Sequence, residues 1–106
     1  MLDRGVWQGR QIVPLSWLQA SFKPAVDVNQ YSKYGYHWYL GEISSDPPAA
    51  SRRQRWIGGI GYGGQRLFVF PALKLVVVIT AGNYDRTDQA VVPINLIRQV
   101  ILPATL

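Results

Sequence analysis

A glycine-rich segment and the two apolar runs that follow it determine the fold of this chain. The first part reads WIGGIGYGGQRLFVFP from Trp56 to Pro71, and the second reads LVVVITAGN from Leu75 to Asn83. Glycine at this density lets the backbone approach another backbone or a ligand closely, or adopt positive φ. The runs after the glycines are rich in β-branched and aromatic residues, which favour strands. We therefore predict strands at residues 65–70 and 75–82, joined by a tight turn.

The flanking sequence predicts further elements. Pro14 suits the first turn of a short helix at residues 14–21, with Trp17 and Leu18 on its buried side. Residues 25–33 are polar and predict a loop. The aromatic run at 34–40 predicts a strand, in which Tyr36 and Trp38 share one face.

The C-terminal part of the chain predicts a strand at 55–60 and a helix. Ile94, Ile97 and Ile101 follow helical spacing, which indicates a helix at about 90–102 that ends at Pro103. Residues 83–88 are polar and predict a turn. His37, the single histidine, has aromatic neighbours and is predicted to be structural.

These elements predict an α+β fold, in which an antiparallel sheet of about three to four strands is flanked by helices. The strand that begins at Leu75 is apolar on both faces, so we expect it to be central and covered on both sides. Helices at 14–21 and 90–102 supply barely one covering layer. We therefore expect residues 1–106 to form one partial domain that lacks a partner layer.

Composition narrows the classes of function. The chain has 106 residues, a net charge of +5 and no cysteine, which excludes disulfides, thiolate metal sites and a cysteine nucleophile. The longest apolar run is too short to span a bilayer, so no membrane association is expected. One histidine offers no metal pair, and neither a metal nor a cofactor is expected. Arg52, Arg53 and Arg55 form the one basic cluster, which favours a solvated loop over a nucleic-acid site.

No catalytic constellation is evident within the chain. The serines lie in neither a Gly-x-Ser-x-Gly nor a Ser-x-x-Lys motif, and the carboxylates lie in loops. The glycine segment overlaps a G-x-G-x-x-G spacing, but it leads into a strand, which argues against a dinucleotide site. Two interpretations stay open: a bulged hairpin without a ligand, and a sheet edge whose N–H groups bind a carbonyl oxygen as an oxyanion hole does.

Four segments in order resemble a known family. They are WQGRQIVP with Trp17, then YGYHW from Tyr34, then GYGGQR from Gly61, then the run from Pro71 to Tyr84. Together they resemble the C-terminal part of serine hydrolases of the class C β-lactamase and penicillin-binding-protein family, particularly the esterase-like and 6-aminohexanoate-dimer-hydrolase-like members. The resemblance covers essentially the whole chain. It implies a bacterial protein and leaves the compartment open between periplasm and cytoplasm.

The resemblance also implies a division of the active site. Family members use the serine and lysine of Ser-x-x-Lys with the tyrosine of a Tyr-x-Asn-like motif, and both motifs lie upstream of the part that this chain resembles. A third motif, on a sheet-edge strand, helps to form the oxyanion hole. It corresponds to Gly61, Tyr62, Gly63, Gly64 and Gln65, with an alternative placement at Trp56, Gly58 and Gly59.

The implied function is therefore that of a fragment. We expect a C-terminal piece of a hydrolase of small ester or amide substrates that carries no catalytic residue and is inactive alone. The backbone N–H near Tyr62 is the expected oxyanion donor. Neither placement of the third motif contains a lysine, which favours an esterase, amidase or peptidase over a β-lactamase.

Two other interpretations remain. A sheet face without its covering layer predicts that the isolated chain self-associates. Alternatively, Tyr34, Tyr36, Trp38 and Tyr39 with the arginine cluster would suit single-stranded nucleic acid, although Tyr36 and Trp38 are expected in the core and no nucleic-acid partner is expected.

Overall fold

A six-stranded antiparallel sheet forms the centre of the fold. The computed structural model describes residues 2–46 and 53–106. The strands are β1 (Val6–Trp7), β2 (Arg10–Gln11), β3 (Val26–Asp27), β4 (Ser32–Tyr34), β5 (Tyr39–Ile43), β6 (Gln54–Gly61), β7 (Gln65–Phe70) and β8 (Leu75–Ile79). Strands β3 to β8 lie side by side in chain order, and β1 pairs with β2 as a separate ribbon. The fold is α+β, as predicted, with more strands than the expected three to four.

The helices lie before and after this sheet. Helix α1 (Leu15–Ser21) follows the ribbon, with Pro14 at its N-cap position. The C-terminal helix consists of α2 (Val91–Leu96), a π-helical turn (Ile97–Ile101) and α3 (Leu102–Thr105). Among the described residues, no helix is long and apolar enough to cross a membrane.

The core lies between one face of the sheet and the C-terminal helix. Ile97 and Leu102 of that helix are fully buried, as predicted for Ile97, and they pack with Phe68 and Phe70 of β7. The side chains on this face are Tyr39 and Ile43 of β5, Gln54 and Trp56 of β6, Arg66, Phe68 and Phe70 of β7, and Leu75, Val77 and Ile79 of β8. Burial of an aromatic side chain contributes a few kcal/mol, so this face is the main source of stability.

The opposite face of the sheet is apolar and only partly covered. Val69 is buried there, beside the N-terminal segment that contains Leu2 and Val6. Val76 and Val78 of β8 retain 47% and 66% of their exposure. Strand β8 is also the last strand of the sheet. The prediction of a central strand covered on both sides is therefore wrong, because two apolar faces do not reveal which strands are neighbours.

The aromatic run at 34–40 is a hairpin rather than the predicted strand. β4 ends at Tyr34 and β5 begins at Tyr39, with the Gly35 N–H donating to the Trp38 carbonyl at 2.8 Å. Because of this turn, Tyr39 and not Tyr36 faces the core: Tyr39 packs against it, whereas Tyr36 is exposed. Tyr36 is thus not a core residue.

The polar stretch before this hairpin was predicted to be a loop, but it contains β3 and β4. The Asn29 side-chain oxygen accepts from the backbone N–H groups of Tyr31 and Ser32, which forms an Asx-type turn between the two strands. Short polar edge strands carry no apolar periodicity, so the sequence pattern missed them.

The C-terminal helix continues past Pro103, where the sequence predicted its end. Proline has no N–H, and its ring would clash with the carbonyl four residues earlier, that of Gln99. The helix widens before the proline, since the Leu102 N–H donates to the Ile97 carbonyl five residues back. The wider turn accommodates Pro103 while Leu102 stays buried.

Truncation of Phe68 tests the core. Phe68→Ala removes a ring that stacks on Trp56 at 4.1 Å between centroids and is fully buried. We expect a loss of about 3–5 kcal/mol in the free energy of unfolding, measured by urea denaturation. Val78→Ala, on the exposed face, should cost about 0.5 kcal/mol or less. Similar losses for the two variants would contradict the placement of the core.

Candidate functional site

Three connecting segments meet at one end of the sheet. β5 begins at Tyr39, opposite Gly58, so the turn before Tyr39 lies toward the end of β6. β6 and β7 are joined there by the glycine turn, residues 61–65. β8 ends at Ile79, opposite Arg66, so the segment after β8 also leaves the sheet at this end.

Part of β6 has a free edge at this end of the sheet. The pairing of β5 with β6 stops at the pair of Tyr39 and Gly58. Gly59, Ile60 and Gly61 pair only with β7. Among the described strands, no strand lies beside these three residues on the β5 side. An extended ligand can approach the backbone there, and a Cβ on Gly59 would make only an ordinary contact, at 4.0 Å from the Leu67 Cβ.

The glycine turn has a conformation that requires glycine. Gly63 and Gly64 have φ values of +86° and +99°, in the region that side chains disfavour. A Cβ on Gly63 would lie 2.5 Å from the Tyr84 ring. The two glycines therefore allow both the tight three-residue connection and the close packing of Tyr84.

The segment at residues 81–90, which we call the clamp, fixes the glycine turn in place. The Gly63 N–H donates to the Gln89 side-chain oxygen at 2.8 Å, and the Asn83 N–H donates to the Gly63 carbonyl at 3.0 Å. The Gln65 side-chain amide bonds to both the N–H and the carbonyl of Ala81. Backbone bonds of this kind order a turn that glycine would otherwise leave flexible.

Tyr62 adds a side-chain contact to the clamp. Its hydroxyl donates to the Asp85 carboxylate and accepts from the Asp85 N–H at 3.0 Å. Its ring packs against Tyr84 at 5.4 Å between centroids. Asp85 has a φ of +58°, so its backbone adopts a disfavoured conformation in making this contact.

The backbone N–H groups of the turn differ in availability. The Gly63 N–H is taken by Gln89. The Tyr62 N–H has no acceptor among the described residues. The predicted donor at Tyr62 is therefore still free to bind a ligand oxygen, whereas the neighbouring N–H of Gly63 is occupied.

Arg66 ties the turn to the start of the C-terminal helix. Its Nη1 donates to the Gln65 carbonyl at 2.8 Å and its Nη2 to the Ala90 carbonyl at 3.4 Å. The side chain is buried, its Nε has no partner among the described residues, and no carboxylate contacts it there. Burial lowers the pKa of the Arg66 guanidinium below its ordinary value. The two carbonyl groups thus compensate in part for the hydration that the Arg66 guanidinium loses on burial.

Other charges near the site form exposed pairs. Arg86 donates to both carboxylate oxygens of Asp88, and this hydrogen bond lowers the pKa of Asp88 below its ordinary value. Farther along β6, Glu42 lies 3.6 Å from Arg53 and 3.4 Å from Arg55. The Glu42 carboxylate neutralises part of the positive charge of the arginine cluster, which a nucleic-acid site would need for phosphate contacts. Arg52 of that cluster lies outside the described residues.

The predicted site residues fall into two groups. Gly61 to Gln65 lie together in the glycine turn, with their backbone facing the clamp and the free edge. In the alternative placement, the Trp56 side chain is buried against Phe68, and Gly58 is needed because a Cβ would meet the Leu67 carbonyl. Those two are structural residues, whereas Gly59 lies on the free edge.

The sequence did not identify the clamp residues that complete the site. Gln89, Asp85 and Asn83 lie more than 15 residues from their partners in the turn. Polar side chains in a predicted turn give no signal of a distant backbone partner. His37, which was predicted to be structural, is exposed in the turn before β5, with a φ of +63°.

Comparison with known proteins supplies no relative: no protein-family model matches the chain, and no curated protein matches its sequence. Within residues 2–46 and 53–106, no three His, Asp or Glu side chains form a group that could hold a metal ion. The geometry of the free edge and the glycine turn is therefore the basis for a functional proposal.

Gly63→Ala tests the packing of the glycine turn, with Gly9→Ala as its matched control. Both glycines have positive φ, but open space surrounds Gly9, whereas a Cβ on Gly63 meets Tyr84. We expect Gly9→Ala to cost about 1–2 kcal/mol in unfolding free energy from backbone strain alone. Gly63→Ala should cost more, and the excess should disappear in a Tyr84→Ala background. Equal losses in the original background would show that Tyr84 does not press on the turn.

Proposed function

We propose that this chain is the C-terminal part of a β-lactamase-like serine hydrolase, of the esterase or 6-aminohexanoate-dimer-hydrolase branch. It supplies the strand edge and the oxyanion side of the site. The nucleophilic serine, its lysine and the second proton-transfer residue belong to polypeptide outside this chain. The substrate of the whole enzyme is a small ester or amide, which is cleaved through an acyl-enzyme.

One observation carries this proposal: the free edge of β6 at Gly59–Gly61 runs directly into a turn with an unpaired N–H at Tyr62. An oxyanion hole needs a rigid N–H aimed at the developing charge. The clamp supplies rigidity, because Gln89 and Asn83 hold the two backbone groups of Gly63. An edge strand beside that donor aligns an extended acyl group by backbone hydrogen bonds.

The described serines support a nucleophile from elsewhere. The buried Ser21 and Ser32 hydroxyls donate to the Trp17 carbonyl and the Asn29 side chain, so both have structural roles. Neither bonds to a histidine or lysine that could act as a base. Within residues 2–46 and 53–106, no serine hydroxyl bonds to a histidine or lysine, so this part of the chain offers a wall for acyl transfer without an activated serine.

Hydrolysis assays test the proposal. We expect no turnover of 4-nitrophenyl acetate or nitrocefin by the chain alone. Turnover should appear when the polypeptide encoded immediately upstream is supplied in one chain or by co-expression, provided that it contains Ser-x-x-Lys and Tyr-x-Asn. Turnover by the chain alone would overturn the proposal, as would an inactive combination that contains both motifs.

Two variants at Tyr62 test the oxyanion donor in the active enzyme that this chain forms with the upstream polypeptide. Tyr62→Pro removes the N–H, and kcat should fall about 10²–10³-fold. Tyr62→Ala keeps the N–H while it loses the ring and hydroxyl, so it should retain most of the activity. Equal losses in the two variants would assign the effect to the side chain and contradict a donor at this position.

Self-association is the second candidate, because the last strand of the sheet is apolar and exposed. β8 (Leu75–Ile79) has no strand on its outer side among the described residues, and Val78 is two-thirds exposed. An apolar strand edge is a template for pairing with another chain.

Size-exclusion chromatography with light scattering tests this candidate. We expect a dimer or larger assembly at micromolar concentration, and Val78→Lys should shift it to monomer because a charge on the exposed face opposes pairing. Thr80→Lys, just beyond the strand, is the matched control and should leave the assembly intact. A monomeric original chain would contradict self-association.

A further inference from the structure

An aromatic cleft lies at the same end of the sheet as the glycine turn. Its volume is about 400 Å³, and it is lined by Trp17 of α1 and by Tyr34, Gly35, Tyr36 and His37 of the β4–β5 hairpin. Trp17 and Tyr36 are 55% and 52% exposed, although large aromatic side chains favour burial. Most of the cleft surface is apolar.

The backbone around the cleft is fixed in an arrangement that exposes these rings. The Tyr36 N–H donates to the Ser21 carbonyl at 3.1 Å, which ties the hairpin turn to the end of α1. A Cβ on Gly35 would meet that same carbonyl, so only glycine allows the approach. Next to it, His37 has a φ of +63°. Strained non-glycine residues also occur in other turns of this chain, so the strain at His37 supports a binding site only together with the exposed rings beside it.

The chemistry of the cleft selects a flat, uncharged group. The Trp17 and Tyr36 rings stack on each other, with centroids 5.8 Å apart and an interplanar angle of 28°, so they leave outer ring faces for a ligand and do not form a cage around a point charge. No carboxylate of the described residues lines the cleft, and the chain carries a net charge of +5, which disfavours a cation. An aryl ring can stack on an outer face of this pair with its amide or ester end directed away.

We propose that this cleft binds the aryl portion of an aromatic ester or amide whose carbonyl lies along the free edge of β6. The turn that carries Tyr36 and His37 precedes Tyr39, and the pairing of Tyr39 with Gly58 marks the point where that free edge begins. The assignment of this ligand as a substrate rests on the proposed hydrolase function. The binding itself does not, since it requires no nucleophile.

Direct binding to the chain alone tests the cleft. Phenylacetamide is the probe, followed by ¹H–¹⁵N NMR of the backbone amides and tryptophan indoles. We expect a dissociation constant on the order of 1 mM, typical of a fragment of about ten heavy atoms. Shifts should appear at Gly35, His37 and the Trp17 indole. Cyclohexylacetamide, which cannot stack, should bind about five-fold more weakly.

Variants distinguish stacking in the cleft from nonspecific hydrophobic binding. Trp17→Ala and Tyr36→Ala should each weaken binding about five-fold. Trp7→Ala is the matched control, since Trp7 is 67% exposed but lies in β1, outside the cleft. His37→Gly should weaken binding while it raises the unfolding midpoint, because glycine relieves the positive φ. A merely structural His37 would not give these opposite effects.

The outcomes distinguish this proposal from the proposed function. Three results would overturn the aryl site: NMR shifts that do not saturate, equal affinity for the two amides, or a loss of affinity in Trp7→Ala equal to that in the cleft variants. Hydrolysis by the assembled enzyme without phenylacetamide binding would leave the proposed function standing and refute the aryl site. Phenylacetamide binding without any hydrolysis by the assembled enzyme would support the aryl site and refute the proposed function.

Discussion

The stacking of Trp56 on Phe68 is the interaction on which the rest of the structure depends. The two rings lie 4.1 Å apart and nearly parallel, on neighbouring strands of the core face. Each ring needs a glycine beside it. A Cβ on Gly41 would come within 2.6 Å of the Trp56 indole, and one on Gly58 would come within 2.8 Å of the Phe68 ring. Aromatic residues and glycines thus alternate across β5, β6 and β7.

This alternation determines the register of the three strands. Gly41 pairs with Trp56, and Gly58 pairs with Phe68. A slip of one residue would place the side chain of Leu40 or Glu42 beneath the indole and turn the core side chains toward the other face. The register in turn sets where β5 stops beside β6, so the free edge from Gly59 to Gly61 is a consequence of core packing.

The sequence predicted the parts of the fold and of the candidate site that depend on local patterns. β7 (Gln65–Phe70) was predicted with its observed bounds, and α1 and the C-terminal helix were placed to within a few residues. Glycine density in the stretch from Trp56 indicated positive φ or a close backbone approach, and the family resemblance then placed the candidate site at residues 61–65. The hairpin at 35–38 was missed, since its turn depends on contact with Ser21. The roles of Gln89 and Asp85 depend on contacts 26 and 23 residues away along the chain, which no local pattern encodes.

Two groups of aromatic residues have different physical roles. Trp56, Phe68 and Phe70 are buried in the helix-side core, where glycines make room for Trp56 and Phe68. Trp17, Tyr36, Tyr62 and Tyr84 remain exposed, and all four lie at the end of the sheet where β6 has its free edge. Exposure of four large rings has a cost in hydration free energy. Local contacts place these rings, since Tyr62 packs on Tyr84 and Tyr36 stacks on Trp17. Core packing places the edge, and the two together leave apolar surface at the end of the sheet where backbone of β6 is unpaired.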